Sequence, residues 1–286
     1  MIELLNSWGF NMAGALAATV ALDQLYKLFA RTVRNEAAAF VLVNLIGGIT
    51  VLFFVPYFDF KFPTQPIYYT LPIISFVFYA IADRIQPTVR KHLEVSIVSI
   101  LLQLTSVFVF IYGVILYHEA LTISKVAGIL LVISATILVL YRRGTFVANK
   151  YTLLTFIAAI TGATGFAIDI GNSAHFNMPL YFSMAYFLPI VFVALFEKIT
   201  VKQIVREYRR IDTKYLLLTG IMWGLAGFFG VHANQLGSVT TTESLLATSV
   251  FFSVILAYFV QGERRDELKK IVAALIVIVG IILTVR

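Results

Sequence analysis

Of 286 residues, 60% are hydrophobic and only 13% are charged, and the mean hydropathy is +0.90. A soluble protein would carry roughly a quarter charged residues, so the composition excludes a soluble domain held by a single anchor. The net charge is +7 with no cysteine. That excludes a disulfide framework and a thiolate metal site, and basic residues kept to the ends of apolar runs speak for a membrane setting, not for nucleic acid.

Apolar runs of nearly the ~20 residues that cross a bilayer recur along the whole chain. Runs of this length cannot leave backbone amides unpaired in hydrocarbon, and they lack the alternation of barrel strands, so helices are expected. In chain order these are 8–30, 36–56, 66–85, 94–117, 122–141, 151–173, 178–197, 214–235, 242–261 and 269–285. The N-terminus MIELLNSWGF has no basic region, so the first span is expected to be retained, not cleaved as a signal. Pro72 and Pro189 fall inside spans. Only the Ile199–Thr213 connection is longer than a turn. Thr240-Thr-Thr-Glu243 reads as a capping box opening the ninth helix, and Asp266 as the N-cap of the tenth.

Two stretches are alike. Ser96–Leu140 and Thr240–Val285 each hold a long apolar run with early small polar residues, then a Glu, a polar turn and a second apolar run. The two acids, Glu119 and Glu263, stand 144 positions apart (263 less 119) in a chain of 286. This divides the chain into five-helix halves, 1–145 and 146–286. Nineteen of the 22 Lys and Arg fall in or beside the loops after helices one, three, five, seven and nine; the other face has Lys61, Lys125 and Arg286. Basic residues are retained on the cytoplasmic side, so the odd loops are expected inside and both termini outside. The expected fold is thus an all-α membrane protein of ten transmembrane helices, arranged as two inverted repeats. That plan recurs in secondary transporters.

The pattern LLQLTSVFVFIYGVILYHEALTISKVAGILLVI, with Glu119 followed by Gly128, and its echo at Gly262-Glu263, resembles the drug/metabolite transporter superfamily in its EamA-type branch. The resemblance runs through both copies. Family members often carry a Pro within helices four and nine, where this chain has Thr105-Ser106 and Ser249-Val250. The resemblance implies a multi-pass protein of the inner or plasma membrane that exports or exchanges a small organic solute by alternating access. It implies no bound cofactor. Protons are a candidate coupling ion, and the chain acts as a monomer or homodimer. The contrasting reading is a membrane-embedded enzyme or lipid-handling protein using an intramembrane Asp/His pair.

Ionisable groups within spans are costly to bury and are functional candidates by default. Asp23 with Lys27, and Asp83 with Arg84, fall at one depth near the expected cytoplasmic end. Asp169 and His232 share a depth near the opposite end, close to Asn172 and Asn234. Asp23 and Lys27 are spaced to pair on one helix face. Asp169 has no basic neighbour one turn away, so it reaches His232 or faces water, and this pair is the candidate for proton coupling. The groups read as two gates. Between them the cavity wall is expected from Ser99, Gln103 and Ser96 on helix four, Ser244 and Thr248 on helix nine, Asn44, Tyr79 and Trp223. Trp8 reads as an interfacial anchor. Glu119, Glu263 and Glu243 read as turn and cap residues. Gly220, Gly224 and Gly227 read as a close helix contact, as do Gly162 and Gly165. No metal-ligand or nucleotide-binding spacing occurs.

Overall fold

The computed structural model describes residues 2–117, 122–142, 145–146, 149–237 and 239–285. Its elements follow the apolar runs. After a short α1 (Ile2–Leu5) come α2 (Trp8–Thr32), α3 (Glu36–Leu52), α4 (Ile67–His92), α5 (Val95–Leu102), α6 (Leu104–Tyr117) and α7 (Ile123–Leu140). The second half holds α8 (Lys150–Asn172), α9 (Met178–Phe196), α10 (Val201–Tyr208), α11 (Thr213–Leu236), α12 (Val239–Leu246), α13 (Thr248–Leu256) and α14 (Glu267–Val285). A two-residue pairing, Tyr141–Arg142 with Thr145–Phe146, lies between α7 and α8. Six helical segments are long and apolar enough to cross a membrane. The long helices outside that set, α2, α4 and α14, carry the buried charges Asp23, Lys27, Asp83, Arg90 and Lys270.

The surface is apolar where a soluble protein would be polar. Leu130, Ile137, Leu195, Phe196 and Val279 are all exposed, as expected of helices turned towards hydrocarbon. In lipid, helices associate through close packing and not through a hydrophobic drive, and glycine supplies the closest approaches. A Cβ added at Gly224 of α11 would lie 2.6 Å from the Gly47 carbonyl oxygen of α3. At the α7–α14 crossing, a Cβ on Gly128 would run into the Gly280 carbonyl. Gly220 and Gly224 thus make the close contact expected of them with α3; Gly227 instead lies under the Tyr186 hydroxyl of α9, and Gly165 under the Tyr79 ring.

Two expected helices are interrupted. The segment 94–117 breaks at Gln103 and the segment 242–261 breaks at Ala247. At each break the backbone tightens to a three-residue step, Ser106 N to Gln103 O at 3.1 Å and Val250 N to Ala247 O at 3.2 Å. Neither break has a proline. The second helix also ends differently: residues Ala257–Gln261 widen into a π-turn closed by Gly262 at φ 71°. Helix α4 departs most from expectation. It was expected to stop at 85, ahead of Pro87, but it runs to His92. Proline there only forfeits one backbone bond, and the extra turns carry Arg90 into the interior.

Helices α2 and α11 pack together, as do α4 and α8, α7 and α14, and α3 and α9. The interior forms several apolar clusters. One joins α5, α7, α13 and α14 around Val98, Val132, Val250 and Val277; another gathers Phe76, Tyr181, Tyr186 and Phe228. Between them lies a row of cavities.

Candidate functional site

Three cavities follow one another through the bundle. The first, about 660 Å³, is lined by Tyr57, Asp59, Lys61, Asp169, Ser173, His232 and Gln235 among others, several of them exposed at the surface. The second, about 270 Å³, shares Phe166, Phe182, Val231 and Asn234 with the first, and adds Tyr79, Asp83, Trp223 and Glu243. The third, also about 270 Å³, shares Tyr186, Trp223, Ala226 and Gly227 with the second. It ends on Asp23, Arg90, Ser99 and Gln103.

That far end is closed by bonded charges. Asp23 Oδ1 accepts from Arg90 Nη1 at 2.8 Å, and its Oδ2 accepts from Ser99 and Ser253 hydroxyls, both at 2.7 Å. Arg90 is held in turn by Gln86 Oε1 at 3.1 Å and lies over the Tyr26 ring. Both charged side chains are almost wholly buried. The expected Asp23–Lys27 pair is not made. Lys27 donates instead to the Leu93 and Lys91 carbonyls, at 2.6 and 3.2 Å, at the C-terminus of α4. A cation at unpaired helix carbonyls is the favourable placement, and it frees Asp23 for a partner on another helix.

A second fastening lies beside the first. Glu263 accepts from the backbone amides of Val95 and Ser96, at 2.5 and 3.1 Å, and from the Ser96 hydroxyl. It caps the start of α5 from the other half of the chain. Lys270, itself buried, pairs with Glu94 at 2.5 Å and stands 3.7 Å from Glu263. Gln24 donates to the Ser253 carbonyl, and Gln261 donates to the Gln24 carbonyl. Glu263 is therefore more than the turn marker that its sequence position suggests. Its counterpart Glu119 lies outside the described residues.

At the other end Asp169 accepts from the Tyr181 hydroxyl at 2.5 Å. The expected Asp169–His232 pair is not formed. His232 sits edge-on to Phe58, 4.8 Å between centroids, and beside Phe228; its ring nitrogens reach no hydrogen-bond partner among the described residues. The Tyr181 hydroxyl of α9 takes the acid instead. Asn172 donates to Tyr181 Oη and to the Tyr68 carbonyl. Asp169 and His232 do share the first cavity.

Arg84 and Asp83, adjacent in sequence, part company. Arg84 makes a two-pronged ion pair with Glu197 at the end of α9, at 2.6 and 3.0 Å. Asp83 turns the other way, into the second cavity, and stands apart from the Asp23 group. Opposite it is Glu243, whose Oε1 accepts from Asn234 Nδ2 at 2.9 Å. Helix α12 begins at Val239, so Glu243 lies within it and not at its N3 position. Its expected role as a capping residue is overturned.

Of the expected wall, Tyr79 and Trp223 line the second cavity, and Gln103 and Ser99 the third. Ser96, Ser99 and Gln103 share an inward face as their spacing predicts, although Ser96 is spent on Glu263. Asn44 is buried with its amide bonded to the Phe40 carbonyl of its own helix, and Thr248 bonds the Leu245 carbonyl; neither lines the three cavities. The side chain of Ser244 lies outside the described residues. Trp8 donates to the Thr242 hydroxyl at 3.0 Å and ties α2 to α12. Missed by the sequence reading were Arg90, Ser253 and the cavity role of Glu243. The signal for Arg90 was its place one helical repeat beyond Asp83, hidden by Pro87. Among the described residues no cluster of His, Asp and Glu could hold a metal ion.

Residues 7–141 match the family model described as "EamA-like transporter family". No curated protein matches the sequence significantly. A solved structure described only as "Crystal structure of protein" superposes with a TM-score of 0.62 at 14% identity, over 95% of this chain and 96% of that one; at that identity it speaks for the fold alone. With six helical segments fit to cross a bilayer and a family match over residues 7–141, the chain is a multi-pass membrane protein whose first half is similar to the EamA-like transporter family.

Proposed function

We propose that this chain is a secondary transporter that moves a small organic metabolite or drug by alternating access between two gates. The row of cavities carries this reading: it is open beside Asp169 and stopped at Asp23–Arg90. A solute site near the middle of two related halves is the usual arrangement in such proteins. In this reading α2, α4, α13 and α14 also cross the bilayer. Their charges are tolerated because each is turned inward and bonded or faces a cavity.

Two inverted five-helix repeats, 1–145 and 146–286, are supported by a symmetry of packing. If each element matches its counterpart half a chain on, the α2–α11 contact exchanges with α4–α8, while α7–α14 and α3–α9 map onto themselves. The proline-free breaks at Gln103 and Ala247 are also 144 positions apart (247 less 103), the separation of Glu119 and Glu263. The basic-residue bias makes the Asp23 end cytoplasmic and the Asp169 end external. The observed state is then outward-facing.

The reading is tested by Gln103→Cys on this cysteine-free chain, labelled in oriented vesicles by a small membrane-impermeant thiol reagent. We expect labelling from the external side through the cavity row, slowed by a bound solute. Protection from both faces in every condition would sink the transport reading. An enzyme built on Asp169 and His232 finds no support in their separate partners.

A further inference from the structure

We infer that the second cavity selects an organic cation, with Asp83 and Glu243 as its charge-recognising groups. The inference rests on the transporter reading above and names the substrate class of that site. Asp83 is 9% exposed, lines the cavity, and has neither a hydrogen-bond nor an ion-pair partner among the described residues. Nearby cations are already engaged: Arg84 with Glu197, Arg90 with Asp23, and Lys27 with the α4 carbonyls. A carboxyl left inside a membrane bundle with no protein cation is costly, and a cationic solute is the partner that would repay it.

The rest of the wall suits the same ligand. Among the described residues no Lys, Arg or His lines this cavity. Glu243 supplies a second carboxyl, and Asn234, which donates to it, keeps its own Oδ1 buried and without a hydrogen-bond partner among the described residues. Aromatic faces surround these groups, from Tyr79, Phe166, Phe182, Tyr186 and Trp223, and such faces attract ammonium groups. Carboxyl oxygens, an amide oxygen and aromatic rings form a site for a protonated amine and one hostile to an anion. The volume, about 270 Å³, is at the low end for drug-sized ligands, which points to a metabolite-sized amine.

The test is binding to the purified full chain in detergent, read by ligand-induced thermal stabilisation. The probes are a graded panel of mono- and diamines, from methylamine to phenethylamine and putrescine, each with its matched alcohol and carboxylate. At least one amine is expected to stabilise the wild type, with its alcohol and carboxylate about tenfold or more weaker, the equivalent of 1.4 kcal/mol. Asp83→Asn and Glu243→Gln should each remove about that factor. Binding of no amine, or equal binding of an amine and its alcohol, overturns the proposal on the wild type alone, whatever the variants do. Unchanged amine affinity in folded Asp83→Asn overturns it too. Flux in proteoliposomes separates the two levels: amine binding without flux defeats the transport reading and leaves the site, whereas flux of neutral or anionic solutes without amine binding does the reverse.

Discussion

Asp23 and Asp169 stand in matching sequence, Ala-Leu-Asp on α2 and Ala-Ile-Asp on α8, yet the structure treats them differently. Asp23 is bound by one guanidinium and two hydroxyls from α4, α5 and α13, and the cavity row stops there. Asp169 accepts from the Tyr181 hydroxyl and borders a cavity of about 660 Å³. The same kind of residue is a bolt at one end and part of a rim at the other. What differs is the neighbouring cation. Arg90 reaches Asp23 because α4 runs two turns past its expected end, whereas among the described residues neither Lys61 nor His232, which border the other cavity, pairs with Asp169.

The largest test of this contrast removes the bolt. Arg90→Ala leaves Asp23 buried without its cation and should cost about 3–5 kcal/mol, whereas Asp169→Asn keeps a group that can still bond Tyr181 and should cost about 1 kcal/mol. Reversible unfolding in micelles compares them, and equal losses would erase the distinction between the two ends. Next in size, Glu263→Gln weakens the charged cap on α5 and should cost about 1.5–3 kcal/mol, accompanied by freer access to the Asp23 end. Accessibility itself is a finer probe. A thiol at Ser253→Cys, fully buried, should react about tenfold or more slowly than one at Gln235→Cys beside the open cavity, since its exposure waits on local opening; similar rates would mean that the Asp23 end is not shut. The smallest effect is expected at Thr248, whose hydroxyl only bonds its own helix: Thr248→Ala should stay within about 0.5 kcal/mol and leave solute flux unaltered. A large loss of flux there would move the cavity wall towards α13.

Apart from the end of α4, helix positions were legible to within a few residues because apolar length sets them, as at 8–30 against Trp8–Thr32. The inward face of Ser96, Ser99 and Gln103 was legible for the same reason, since spacing alone puts them in line. Partnerships were not. Asp23 lies four residues from Lys27 and sixty-seven from Arg90, and sequence proximity favoured the wrong cation. Glu243 follows three threonines and imitates a capping box, but the helix starts earlier and turns the acid inward. The breaks at Gln103 and Ala247 carried no proline to announce them.

By itself the sequence determined the solvent, the helical class and the approximate ends of the helices, because hydrophobic length and the cost of unpaired amides in lipid leave little choice. Tertiary structure alone decided which way each polar side chain faces. A membrane helix is apolar on nearly all sides, so it lacks the amphipathic stripe that fixes rotation in a soluble one. Asp83 and Arg84 are neighbours in the chain, and only the packing of α4 against α8 and α9 sends one into the cavity and the other to Glu197.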